Sequence, residues 1–69
     1  MFTVEELTVM QMYNPEDRLN LIDDLIVASV YVDDPVMANL IDAIVDKLID
    51  INDEQFEKID FSEALDVAN

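Results

Sequence analysis

Apolar residues recur at helical spacing along most of this chain, in segments that end at proline or at polar turn residues. The first segment places Leu7 and Met10 on one side of a helix. Thr3 stands before it and Glu6 follows three residues later, which is the spacing of a helix capping box. This pattern predicts a helix over 4–13.

Two prolines divide the middle of the chain. Pro15 and Pro35 each follow a break in the pattern, and proline is favoured at the first position of a helix, where its missing N–H would have no partner anyway. We therefore expect helices over 15–32 and 35–51. The expected core residues are Leu19, Ile22, Ile26 and Val30, widened by Leu21, Leu25 and Ala28, in the second helix, and Met37, Leu40, Ile41, Ile44, Leu48 and Ile51 in the third. So wide an apolar face predicts that the second helix is central.

A second capping box follows, because Asn52 stands three residues before Gln55. It predicts a short fourth helix over 53–59, and we expect the tail, 60–69, to be partly frayed. Glycine, which small β-rich domains need in their hairpin turns, is absent. The predicted fold is all-α: a single helical domain over 1–69, built as a small antiparallel bundle of three main helices plus a short fourth helix.

The composition leaves little chemistry for catalysis. The chain has no histidine and no cysteine, so neither the usual nucleophile and base nor a thiolate metal site can be assembled. A phosphate-binding loop would need glycine. We expect a protein that is not an enzyme and takes no metal and no cofactor. The alternative is an enzyme that uses a pair of carboxylates with a borrowed metal.

Charge narrows the choice of partners. Seventeen Asp and Glu against three Lys and Arg give a formal net charge of -14, which repels nucleic acid and anionic lipid and attracts basic protein surfaces. The chain start lacks the pattern of a signal peptide, and the longest apolar run, 25–32, is too short to span a bilayer. We therefore expect a cytoplasmic protein that binds neither nucleic acid nor membrane directly.

Two groups of acidic residues are candidate docking sites for Lys and Arg. Asp42, Asp46 and Asp50 follow one another at i,i+4 spacing on the third helix, where like charges repel unless a cation or a partner relieves them. Asp23 and Asp24 lie in the middle of the second helix. An ordinary solvated helix face is the competing interpretation of both groups.

Surplus apolar residues on the first helix are the other candidate. A domain of this size cannot bury every apolar residue, and we expect Met10 and Tyr13 to fill the core while Val9 and Met12 stay exposed. Val9 and Met12 would then contribute to a contact surface. A homodimer would use the same surface.

Three parts of the chain together resemble a known family. These are the opening MFTVEEL leading into Met12 and Tyr13, Arg18 with Leu21 and Ile22 in the second helix, and the closing run NDEQFEKIDF over 52–61. The chain is similar to the putative transposon-transfer assisting protein family, small acidic proteins encoded on bacterial conjugative transposons. The resemblance implies a role auxiliary to transfer or maintenance of such an element, and it implies no catalytic residues.

These observations together predict a non-catalytic, acidic protein-interaction module. Its expected partner is a protein with a basic surface, and the family resemblance makes a protein of the transfer machinery one candidate. The alternative is a DNA mimic, whose rows of Asp and Glu imitate phosphates and occupy a basic DNA-binding protein.

Overall fold

The computed structural model describes residues 2–13 and 15–62, and this part of the chain forms four α-helices and no strand. The helices are α1 (Val4–Met12), α2 (Arg18–Tyr31), α3 (Pro35–Asp50) and α4 (Asp53–Glu57). The prediction of an all-α bundle with three main helices and a short fourth is confirmed. The predicted fraying of 60–69 falls mostly on 63–69, which lie outside the described residues.

Side-chain caps begin three of the helices where the sequence predicts them. Thr3 and Glu6 form the capping box of α1, in which each side chain accepts a hydrogen bond from the backbone N–H of the other. Asn52 and Gln55 do the same at the start of α4. Asp34 accepts a hydrogen bond from the backbone N–H of Val36, just before the first residue of α3. Each cap satisfies N–H groups that a helix start leaves unpaired.

The predicted start of α2 at residue 15 is wrong by three residues. Asp17 is the N-cap: its backbone is extended, and its carboxylate accepts a hydrogen bond from the backbone N–H of Asn20 at 3.1 Å. The Asp17 carboxylate accepts a hydrogen bond from a backbone N–H that would have no other partner, and this sets the helix start here. The restricted φ of Pro15 favours a helix start but supplies no such bond. Pro15 and Glu16 therefore belong to the connection between α1 and α2.

All four helices end one or two residues earlier than predicted, with Tyr13, Val32, Ile51 and Lys58 as C-caps. Val32 and Ile51 have extended backbones, because the chain must turn there towards the next helix. Within the residues described, no helix combines the length and the apolar character needed to span a membrane.

The core lies around α3, which packs against both α2 and α1. α2 and α3 are antiparallel, since the Arg18 guanidinium at the start of α2 donates to the carbonyl of Leu48 near the end of α3. The fully or nearly fully buried apolar residues are Leu7, Val9, Met10, Leu21, Ile22, Leu25, Ile41, Ile44, Leu48 and Phe56. Three residues of the predicted α3 core face are only partly buried and pack at the edge of the core: Met37, Leu40 and Ile51. The central helix is thus α3, not α2.

One predicted core stripe of α2 is wrong. Leu19, Ile26 and Val30 are 57%, 47% and 73% exposed, whereas Leu21, Ile22 and Leu25 are buried. α2 carries apolar residues on two of its sides, and a helix at the edge of a bundle can bury only the side that faces its neighbours. The second side is left in solvent.

Two adjacent residues of α2 test this arrangement. We expect Leu25→Ala to lower the free energy of unfolding by about 2 to 5 kcal/mol, because it leaves a cavity in the core, or to unfold the domain outright. The matched change Ile26→Ala should cost less than about 1 kcal/mol, because the removed atoms already contact water. Denaturant unfolding followed by circular dichroism measures both, and equal losses would contradict the packing of α2.

Candidate functional site

All three basic side chains of the protein contact a carboxylate. The pairs are Lys47 with Glu6, Arg18 with Asp53 and Lys58 with Glu54, at N–O distances of 2.6, 2.8 and 3.5 Å. Three cations cannot neutralise seventeen acidic residues, and the net charge stays at -14. The charge on the surface of this protein therefore favours a binding site built from carboxylates over one built from cations.

The pair of Lys47 and Glu6 joins α3 to the start of α1. Glu6 is buried, and its Oε1 accepts from the Lys47 Nζ and from the backbone N–H of Thr3. Burial raises the pKa of Glu6, but the hydrogen bonds from Lys47 and Thr3 and the positive charge of Lys47 together hold this pKa below its ordinary value of 4.5. The ammonium group of Lys47 also lies 5.7 Å from the centre of the Phe2 ring. This is a structural ion pair.

Arg18 joins three elements. Its Nε donates to Asp53 at the start of α4 at 2.8 Å, and its Nη1 donates to the carbonyl of Leu48 in α3 at 3.0 Å. The Leu48 carbonyl is in the last turn of α3, where such groups lack a helical partner. Arg18 therefore holds the start of α2 against the junction of α3 and α4, and its guanidinium is directed towards the protein.

The predicted acidic row on α3, formed by Asp42, Asp46 and Asp50 and here named the α3 row, is exposed along its length. Successive members are about 6 Å apart along the helix axis. The buried residues Ile41, Ile44 and Leu48 occupy the opposite side. The α3 row is accessible to a partner on a convex helix surface.

The other predicted pair, Asp23 and Asp24, belongs to a larger group. With Tyr13, Glu16, Asp17 and Asn20 they line an open depression of about 360 Å³ beside the start of α2. A neighbouring depression of about 200 Å³ shares Glu16 and Asp17 and adds Arg18, Asp53, Phe56 and Glu57. We name the six carboxylates of these depressions, Glu16, Asp17, Asp23, Asp24, Asp53 and Glu57, the acidic cluster. Within residues 2–13 and 15–62, no group of three or more acidic side chains is arranged to hold a metal ion.

Sequence reasoning missed most members of the acidic cluster. The signal was the spacing of seven residues, two helical turns, that separates Glu16 from Asp23 and Asp17 from Asp24. Asp53 had no such signal, because only the packing of α4 beside the start of α2 brings it near. The acidic cluster is thus partly a local and partly a tertiary feature.

The two apolar candidates on α1 differ. Met12 is 70% exposed, as predicted, but Val9 is only 5% exposed, and its predicted exposure is wrong. α1 buries residues on several sides, Glu6, Leu7, Val9 and Met10, because a short helix in a small domain can be covered by more than one neighbour. Val9 is therefore a core residue and is not available to a partner.

The first and last described segments meet at an apolar cleft of about 200 Å³. Phe2 forms one side of the cleft, and Ile51, Gln55, Lys58 and Ile59 form the other. A hydrogen bond of 2.9 Å from the Gln11 side chain to the carbonyl of Phe61 ties α1 to the chain that follows α4. The two parts of the sequence that carry the family resemblance most clearly thus come together in space.

Comparison with models of known protein families shows which family the chain belongs to. A family model described as putative transposon-transfer assisting protein matches residues 2–62. The chain belongs to this family. No curated protein and no solved structure matches it. The family match spans every residue that the structure describes, so the Phe2 cleft, the Arg18 contacts and the acidic cluster all lie within it.

The ion pair of Glu6 can be tested by its dependence on pH. Glu6→Gln keeps the capping box, because glutamine fits the same position, but removes the charge that faces Lys47. We expect the variant to be less stable at pH 7 by about 1 to 2 kcal/mol, a modest loss because Lys47 keeps access to water. Thermal unfolding followed by circular dichroism gives the difference.

This difference should disappear in acid. The pKa of Glu6 in the folded protein is below its ordinary value of 4.5, so its stabilising effect is complete above that pH and is lost as the pH falls through the folded pKa. Glu5→Gln, an exposed change in the same turn, is the control and should be nearly neutral throughout. A difference between wild type and Glu6→Gln that stays constant down to pH 2 would contradict the assignment.

Proposed function

We propose that this protein is a non-catalytic, acidic interaction module that assists the transfer or maintenance of a conjugative transposon by binding a protein with a basic surface. The acidic cluster is the observation that carries the proposal. Six carboxylates line two adjoining depressions there, and Arg18, the one cation beside them, is already engaged by Asp53 and the Leu48 carbonyl. The family description, which names assistance to transposon transfer, supplies the biological setting.

A concave group of carboxylates favours Lys and Arg for a physical reason. Carboxylates on the walls of one depression act on the same point, so their potentials add and attract a cation more strongly than a single surface acid does. The same field repels phosphate groups, which argues against direct contact with nucleic acid or anionic membranes. We accordingly propose a basic protein of the transfer machinery as the partner and the cytoplasm as the place where they meet.

The α3 row supports a second candidate function. Its three exposed carboxylates stand at regular intervals of about 6 Å on one helix face, so they could imitate a short run of phosphates on a DNA strand. The protein would then be a DNA mimic that occupies the DNA-binding surface of its partner. The acidic cluster, being concave and irregularly spaced, does not have this arrangement.

Two triple variants, each of which removes three negative charges, distinguish the acidic cluster from the α3 row as the binding surface. Glu16→Gln with Asp23→Asn and Asp24→Asn removes three charges from the acidic cluster and leaves the Asp17 cap intact. The matched triple variant changes each Asp of the α3 row to Asn. We expect the first to weaken binding of the basic partner by roughly tenfold or more and the second by less, because converging charges contribute more than separate ones.

The measurement uses a partner recovered by affinity purification at low salt from cells that carry the element, then purified and titrated by calorimetry. Binding should weaken as the salt concentration rises. Failure to recover a partner at low salt would count against the proposal, and so would a partner that binds both triple variants as tightly as the wild type.

The DNA-mimic function predicts competition. In a gel-shift assay, the wild-type protein should displace DNA from the partner, so that the shifted band of the DNA complex disappears. The triple variant of the α3 row should leave the shifted band in place. An unchanged gel shift at saturating protein would eliminate this function and leave the acidic cluster as the proposed site.

A further inference from the structure

The solvent side of α2 carries an apolar surface that the fold does not use. Leu19, Ile26, Val27 and Val30, here named the α2 stripe, are all about half exposed or more. Single exposed apolar residues are common on proteins, but four on one side of one helix of a 69-residue domain are the kind of feature that marks a contact site.

Three residues of the α2 stripe, together with Asp23, have the spacing of a helix-pairing seam. Leu19, Asp23, Ile26 and Val30 follow one another at intervals of four, three and four residues, the alternation of positions in a two-helix coiled coil. The seam extends about 16 Å along the helix, or three turns. Asp23 is its one charged position, and in such seams a single polar residue selects a partner with the matching group.

Negative charge surrounds the seam. Exposed acids precede it at Glu16 and Asp17 and follow it at Asp33 and Asp34. The only cation on α2, Arg18, points instead towards the Leu48 carbonyl and Asp53. An occupant of this surface therefore has to supply the positive charge itself.

We infer that the α2 stripe is the docking site of a basic amphipathic helix, which lays its apolar side along the seam and places a Lys or Arg opposite Asp23. The inference rests on the proposed function and deepens it, because it names the surface and the form of the basic partner. Asp23 belongs to both the acidic cluster and the seam, so one partner helix can contact both.

Charge argues against a second copy of this protein as the occupant. A homodimer through α2 would bring two chains of net charge -14 together and would place the acids at the ends of one seam near those of the other, with no cation on either face. Self-association through α2 is therefore an outcome that the experiment has to exclude.

The test uses the full chain and two synthetic peptides of identical composition. The first is a helix-forming peptide with Leu and Ile along one side, Lys and Arg at its flanks, and one Lys placed to face Asp23. The second has the same residues in scrambled order, so it keeps the charge but has no apolar side. Fluorescence anisotropy at low and physiological salt measures the binding of each.

We expect the amphipathic peptide to bind at least about tenfold more tightly than the scrambled one. Ile26→Gln should remove this preference, whereas Met12→Gln, which changes a more exposed apolar residue on α1, should preserve it. Asp23→Asn should weaken binding of the amphipathic peptide several-fold. When the facing Lys of the peptide is replaced by Gln, the same substitution should have no effect, because Asp23 then has no charge to pair with.

The possible failures are distinguishable. If both peptides bind equally and Ile26→Gln changes nothing, the docking inference is wrong while the proposed binding of basic partners stands. If neither peptide binds at low salt, the proposed function itself is undermined. If sedimentation shows that the wild type self-associates and that Ile26→Gln abolishes this, a second copy occupies the α2 stripe and the inference is overturned.

Discussion

Seventeen carboxylates and three cations have to be held in one small fold, and two of the cations bridge elements that are distant in sequence. Lys47 reaches from α3 to the buried Glu6 at the start of α1, and Arg18 reaches from the start of α2 to Leu48 and Asp53. The Lys47–Glu6 pair is partly withdrawn from water, where ion pairs are screened less than on the surface, whereas the Asp53 side chain is 73% exposed. With the cations used in this way, the exposed carboxylates dominate the outside of the protein.

The acidic cluster and the α2 stripe are two consequences of how α2 packs. α2 buries only Leu21, Ile22 and Leu25. Its start lies beside α4, which gathers acids from both helices around the same depressions. No helix of the described residues covers its far side, and the apolar residues there are about half exposed or more. In the proposed interaction, acidic attraction and apolar contact act on a single partner through one helix, because Asp23 belongs to the acidic cluster and lies beside the α2 stripe.

Local chemistry predicted the starts of three of the four helices, each of which begins at a side-chain cap. Thr3 with Glu6, Asp34, and Asn52 with Gln55 act within four residues of the chain, so sequence spacing is enough to identify them. The start of α2 was misplaced because two local signals, Pro15 and Asp17, compete there and the hydrogen bond to Asp17 prevails. Of the candidate site residues, the α3 row, Asp23, Asp24 and Met12 are exposed as expected, whereas Val9 is buried.

The sequence by itself determined the helical class, three of the four helix starts and the excess of negative charge, because propensity, capping and composition are properties of neighbouring residues. Only the tertiary structure decided which apolar side of α2 is buried, that α3 is central, and that Asp53 joins Glu16 and Asp23 in one acidic surface. A helix with two apolar sides fits the same periodic pattern whichever side it buries. The choice depends on which neighbours are present, and that information is distributed over the whole chain.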